Sequence, residues 1–247
     1  DGQRFISALV SAVSNNPDLS SCDQMTILSS ALLGEGLKLF PSPQLGQYYI
    51  VPFEDRKNGR TVATFQLGYK GYIQLAIRSG YYKRINVAPI KEGELVRWDP
   101  LSEDFEAKIN DTTENRDELP TIGYYAMFEY LNGFQKVLYW PKGKMEAHAL
   151  KYSKGYAADK KKGTNWTFWR KDFDGMACKT MLRQLISKWG IMSTELQTAY
   201  EADMTFEDAS GQRRYFDNDS DFSDGEGNGT ILVDQSTGEI LQPAGIQ

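Results

Sequence analysis

Residues 121–140 read TIGYYAMFEYLNGFQKVLYW. Two runs of aromatic and aliphatic residues flank Asn132-Gly133, the dipeptide best suited to the left-handed positions of a tight hairpin turn. The stretch predicts two antiparallel strands, 121–131 and 134–140. Upstream, YKRINVAPI (82–90), ELVRW (94–98) and DFEAKI (104–109) extend this pattern into a β-meander over 81–141. A second hairpin is written in QYYIVPF (47–53) and RTVATFQL (60–67), joined through EDRKNG with its own Asn58-Gly59 turn.

Helices surround these strands. RFISALVSAVS (4–14) reads as one. A second runs from Asp23 to about Phe40, capped by Ser21, with apolar Met25, Leu28, Ala31 and Leu32 on one side and Pro41 as its stop. GYKGYIQLAIRSG (68–80) is a short helix, and 142–153 another. KGYAADKKKGTNWTFW (154–169) is basic, glycine-containing and aromatic, and reads as a loop. Asp172 to Trp189 carries the strongest helical pattern, and Glu195 to about Met204 a weaker one. The class expected is α+β: an antiparallel β-meander and hairpin packed with helices. From about Phe206 the run YFDNDSDFSDGEGNG has too little apolar surface to bury, so disorder is expected there. The division is a core over 1–204 and an acidic tail over 205–247.

The 247 residues suffice for a sizeable core. Two cysteines, Cys22 and Cys178, exclude a disulfide scaffold and any cysteine-rich zinc module, and fit a reducing cytoplasm. No apolar run reaches the length of a membrane span, and the first fourteen residues do not read as a signal peptide. The formal net charge of −5 hides a segregation of sign. Residues 120–190 hold 13 Lys/Arg against 5 Asp/Glu, whereas 191–247 hold 2 against 12. A basic body with an acidic end suits a polyanionic partner.

Catalytic signatures are missing. The single histidine, His148, has no nucleophile elbow around it; no HExxH and no P-loop occur. Asp172-Phe173-Asp174 has the form of a metal pair, but carboxylates at a helix start ordinarily satisfy its unpaired N–H groups.

The cations are better organised. On the helix 172–189, Phe173, Ala177, Met181, Leu182, Leu185 and Trp189 form an apolar arc, which sends Lys179 and Arg183 together away from the core. Lys70, Gln74 and Arg78 form a polar stripe on the helix after Gly68. Between 142 and 171 come Lys142, Lys144, Lys151, Lys154, Lys160, Lys161, Lys162, Arg170 and Lys171, interleaved with Tyr152, Tyr156, Trp166, Phe168 and Trp169. Cations pair with phosphates and aromatic faces stack on unpaired bases. The bland alternative is a set of solvated faces, with Phe168 and at least one tryptophan in the core. Nothing here reads base edges, so the binding expected is directed at the backbone of single strands.

The run from Gln66 to Gly80 (QLGYKGYIQLAIRSG), together with Trp169 to Arg183 (WRKDFDGMACKTMLR), resembles the phage RecT/Red-beta family of single-strand annealing proteins. The likeness spans roughly residues 20–200. It implies a compact annealing core distantly similar to the Rad52 domain, and ATP-independent annealing of single-stranded DNA in phage recombination rather than an enzyme. It further implies no cofactor and no metal, and a homo-oligomer, ring or helical, holding single strands and annealed duplex in a basic groove. A partner exonuclease and a host single-strand binding protein are implied in a host bacterial cytoplasm, with no membrane. By position it assigns DNA contacts to Lys70, Lys179 and Arg183; its helical DxD start matches Asp172 and Asp174, which are read as structural. The rival readings are a metal-dependent nuclease using those two aspartates and a structural phage protein docking a partner through its tail. The groove requires Lys70, Arg78, Lys179 and Arg183 to line one cleft.

Overall fold

Alternating apolar residues and two Asn-Gly turns build the sheets, and amphipathic segments cover them. In the computed structural model the chain runs α1 (Gly2–Asn15), α2 (Gln24–Gly36), β1 (Tyr48–Asp55), β2 (Arg60–Leu67), α3 (Tyr69–Arg78), β3 (Tyr82–Lys91), β4 (Leu95–Asp99) and β5 (Asp104–Ala107). It continues with β6 (Thr121–Tyr130), β7 (Gln135–Pro141), α4 (Lys142–Tyr152), α5 (Lys154–Lys162), α6 (Phe168–Lys171), α7 (Phe173–Trp189), α8 (Thr194–Ala202), β8 (Thr205–Glu207), β9 (Arg213–Tyr215), β10 (Leu232–Val233) and β11 (Ile240–Leu241). The structure describes residues 2–42, 44–55, 58–109, 116–203, 205–207, 213–215, 232–233 and 240–241. The α+β class is as the sequence predicts, and every sheet is antiparallel.

One sheet has the order β1-β2-β8-β9 and another β3-β6-β7, with β4-β5 a separate hairpin. The strands of the meander stand where they are expected, but their pairing skips: β3 bonds to β6, and the hairpin between them stands apart. It is fastened by stacking of Phe105 on Tyr125, centroids 4.4 Å apart, and by an ion pair of Lys136 with Glu103. The chain separates into two compact units, 1–217 and 218–247. β8 and β9, beyond position 204, thus extend the first sheet of the larger unit, whereas in the smaller one β10 pairs with β11. Most of the expected disordered tail lies outside the described residues.

Each of the two larger sheets has its own core. Tyr48, Ile50, Phe65 and Leu67 pack with α2 and α8; Tyr124, Ala126 and Phe128 pack with Met145 and Ala149 of α4. α7 serves both, sending Leu182 and Ile186 to the first core and Ala177, Cys178, Met181 and Leu185 to the second. A helix shared in this way is covered nearly all round.

Two helices depart from their sequence reading. α2 is capped by Asp23, whose Oδ1 accepts from the Met25 N–H at 2.9 Å, and not by Ser21. Its Met25, Leu28 and Leu32 are exposed, while Ser30, Ala31 and Gly34 face the sheet. The small side wins because the Tyr48 ring lies where a Cβ on Gly34 would be. Residues 154–162, expected as a loop, form α5: the Ser153 hydroxyl accepts from the Tyr156 N–H, and Gly163 closes the helix at φ 67°.

Gly68 and Gly71 explain the Gln66–Gly71 motif. A Cβ on Gly68 would meet the Gly46 carbonyl, and one on Gly71 the Gln47 carbonyl. Both are backbone groups that cannot swing aside, so glycine alone lets α3 begin flush against the chain entering β1. Gly71→Ala is expected to destabilise the fold by about 1–3 kcal/mol. Urea unfolding followed by circular dichroism measures it, with Gly59→Ala as a comparison at a turn exposed on the surface.

Candidate nucleic-acid interface

The close seat of α3 fixes where Lys70 emerges. Its Nζ stands 6.0 Å from the Tyr69 ring centroid, and its methylene chain lies against Gly46. Across the helix start lies Tyr49 of β1, whose ring centroid is 6.1 Å from that of Phe168. Lys171 Nζ stands 5.9 Å from the centroid of the same Phe168 ring. The structure therefore links Lys70 and Lys171, a hundred residues apart, through a row of neighbouring rings: Lys70 beside Tyr69, Tyr69 near Tyr49, Tyr49 beside Phe168 and Phe168 beside Lys171. Burial, then the nearby Asp172 carboxylate, raises the Tyr49 pKa, so its hydroxyl stays protonated. Phe168, expected in the core, is 40% exposed, whereas Trp169, 7% exposed, is a tryptophan in the core as expected.

Trp166 is 57% exposed and lies over Gly155. Its loop hangs on one carboxylate, fully buried Asp159. Asp159 accepts from the Trp166 N–H at 3.1 Å, the Thr167 N–H at 2.9 Å and the Thr167 hydroxyl at 2.7 Å, and from the Thr164 hydroxyl. Burial pushes its pKa up, but these donors outweigh it and hold the carboxyl at about 2. Arg170 is exposed and donates through Nε to the Thr164 carbonyl at 3.2 Å.

A second band of cations and rings lies on α4. Lys144 Nζ stands 4.7 Å from the Trp140 centroid, His148 lies between Trp140 and Tyr152, and Lys151 Nζ is 5.0 Å from the Tyr152 centroid. Lys142 and Lys154 are exposed at the starts of α4 and α5. Lys161 and Lys162 are exposed on α5, as is Lys160, which pairs with Glu146.

Lys179 and Arg183 do not project away from the core. Lys179 is 5% exposed, and its Nζ lies 2.8 Å from Oδ1 of Asp203, which is 0% exposed. Arg183 Nη1 lies 3.1 Å from Asp203 Oδ2 and its guanidinium 4.1 Å from the Tyr200 ring centroid. The same carboxylate accepts from the Leu67 N–H at 2.9 Å and the Tyr72 hydroxyl at 3.2 Å. The arc opposite the apolar one is covered by α3 and the end of α8, which a helical wheel does not display. Desolvation lowers the Lys179 pKa, partly offset by Asp203. Of the four residues expected to line one cleft, only Lys70 and Arg78 are exposed, and Arg78 is turned to the Leu37 carbonyl at 2.7 Å. Gln74 is exposed between them.

Asp172 and Asp174 are both engaged within the fold. Asp172 Oδ1 accepts from the Gly175 N–H at 2.9 Å, capping α7. Asp174 accepts from the Tyr124 hydroxyl at 2.6 Å and the Thr121 hydroxyl at 3.0 Å, tying that helix to β6.

The RecT family profile matches residues 3–215. The chain belongs to the RecT family. It is 40% identical over 221 residues to the uncharacterized protein YqaK of Bacillus subtilis (strain 168), covering 90% of this chain and 69% of that protein. It is 29% identical over 206 residues to Protein RecT of Escherichia coli (strain K12), covering 81% of this chain and 71% of that one. Membership gives the coarse role, DNA annealing in recombination. In this RecT-family chain, sequence reasoning passed over Tyr49, whose place beside Phe168 depends on a pairing of distant segments that has no local signal. It also passed over Lys83 and Arg84, although the period-two pattern of YKRINVAPI separates Arg84 and Asn86 from Ile85 and Val87.

Asp203→Ala is expected to cost about 3–5 kcal/mol, because Lys179 and Arg183 lose the buried carboxylate they share. Lys179→Met should cost less, since Arg183 then faces Asp203 one to one; urea denaturation of both variants gives the comparison. Asp159 has a folded pKa of about 2 against an ordinary 3.8, so its contribution is complete above 3.8 and disappears as pH falls towards 2. Hydrogen exchange at the Trp166 and Thr167 amides should show protection lost across that window, and already absent at neutral pH in Asp159→Ala.

Proposed function

We propose that this protein binds single-stranded DNA and anneals it to a complementary strand without ATP. The observation that carries the reading is the row of neighbouring rings, Tyr69, Tyr49 and Phe168, with Lys70 beside the first and Lys171 beside the last. Cations spaced along a strand neutralise its phosphates, and rings between them stack on bases of any sequence. Strand annealing needs no bond made or broken. It needs two polyanions brought together with their bases accessible, and fixed positive charge lowers the repulsion between them.

The α4 band, with Lys142, Lys144 and Lys151, and Lys154, Trp166 and Arg170 beyond it, enlarges the cationic surface. Copies of the chain assembled along one strand, as a ring or a helical filament, multiply weak contacts into tight binding. Both the first strand and the annealed duplex are ligands. An exonuclease that exposes the strand and a host single-strand binding protein that coats it are the functional partners, in the bacterial cytoplasm. Lys179 and Arg183 act on this site indirectly, by holding α3 in place through Asp203 and Tyr72.

Fluorescence anisotropy with oligothymidylate tests the reading. Log affinity should fall linearly with log salt, by about 0.7 per phosphate neutralised. Lys70→Glu with Lys171→Glu should weaken binding by about tenfold or more and flatten that slope. Two complementary oligonucleotides should anneal faster with protein than without, equally in the absence of ATP and magnesium. Affinity unchanged in the double variant would remove the ring row from the interface.

A further inference from the structure

A second feature lies at the other end of α3. A cleft of about 400 Å³ is lined by Ile77 of α3, by Lys83, Arg84, Ile85 and Asn86 of β3, and by Tyr125 and Met127 of β6. The register explains its chemistry: Arg84 stands opposite Glu129 and Asn86 opposite Met127, on the sheet face turned away from Tyr124 and Phe128 of the core. The rim is cationic. Lys83 Nζ lies 2.7 Å and an Arg84 guanidinium nitrogen 2.6 Å from the two oxygens of Glu129, so two positive charges surround one negative. The two cationic side chains are 56% and 63% exposed, so their remaining donors face solvent. The wall is flat and aromatic, because Tyr125 is braced by Phe105 stacked against it.

This cleft is joined to the ring row. Lys70, Gln74 and Ile77 fall within about 60° on the α3 wheel, and all three are exposed. From Lys70 to Ile77 the helix rises about 10 Å. A strand leaving Phe168 and Lys70 along this face passes Gln74 and arrives over Ile77 at the cleft mouth.

We propose that the β3 cleft is a nucleotide-binding subsite for single-stranded DNA, with a phosphate on Lys83 and Arg84 and its base against Tyr125, Met127 and Ile77. The inference rests on the single-strand reading above and deepens it by giving the strand a direction. The cleft volume lies within the range of small-ligand sites. The carboxylate of Glu129 holds the Arg84 guanidinium in place while leaving one net positive charge for the phosphate.

The test uses the full chain and oligothymidylate carrying photoreactive 4-thiothymidine. Irradiation should attach the oligonucleotide to the peptide containing Tyr125 and Met127. Ile77→Trp, which fills the cleft from an exposed position, should abolish that adduct. Lys83→Ala with Arg84→Ala should weaken binding by about five- to tenfold and lower the salt slope by about 0.7. Wild-type binding that depends on Lys70 and Lys171, with no adduct at this peptide and with unchanged affinity and slope in the Lys83/Arg84 variant, overturns the subsite and leaves the ring row standing. Absence of wild-type binding at low salt overturns both.

Discussion

One buried carboxylate organises the region that carries the candidate interface. Asp203 ends α8, and the donors reaching it come from the end of β2, from α3 and from α7. Four separate stretches of chain meet there, so none can shift without stranding a polar group. Burying an ion pair is costly, and its attraction returns that cost only where geometry is good and the remaining lone pairs are satisfied. Here both oxygens have two partners: Lys179 and the Leu67 N–H on one, Arg183 and the Tyr72 hydroxyl on the other. The arrangement is better understood as a device for register than as a source of large stability. It presses the Tyr72 side of α3 inward, which leaves Lys70, Gln74 and Ile77 on the outside.

A second polar chain does the same for the other core. Asp174 at the start of α7 meets Tyr124 and Thr121 of β6, and the buried Lys91 of β3 donates to Thr121 at 3.0 Å. Glu94 then links the Lys91 N–H to Arg116. α7 is thus pinned to one sheet near its first turn and to the other through its middle, which is why it can share two cores and still hold a single orientation.

The strands, their two Asn-Gly turns and most helices were legible because the signals for them are local: period-two alternation, a left-handed turn dipeptide, a capping side chain. What was not legible depended on contacts between distant segments. The apolar side of α2 looked like its buried side until Tyr48 demanded a surface as small as Gly34. α5 was hidden by its composition, since a run of lysines beside glycines resembles a loop; its cap at Ser153 was the signal available. The polar pair on α7 was read by a rule that holds for a helix with one solvent face, and this helix has none at Lys179. Of the candidate site, Lys70, Lys171 and Trp166 were found as isolated residues, but their grouping with Tyr49 was not, because β1 and α6 are brought together only by the fold.

The distribution of charge separates structure from binding more sharply than the sequence average does. Inside, among the described residues, cations meet carboxylates: Lys179 and Arg183 share Asp203, Lys91 faces Asp174 and Arg116 faces Glu94. Outside, along 142–171, the ion pairs of the described residues engage Lys160 and leave Lys142, Lys144, Lys151, Lys154 and Lys171 beside rings or open to water. Burial forces a carboxylate onto a cation, since an unpaired charge in the core costs far more than one at the surface. A cation held against a ring at the surface keeps its charge available, because the ring's attraction is modest and a phosphate can take its place. The basic excess of residues 120–190 is therefore carried by the exposed members. The proposed ligand, a single strand with regularly spaced negative charge and flat apolar faces, answers both features at once.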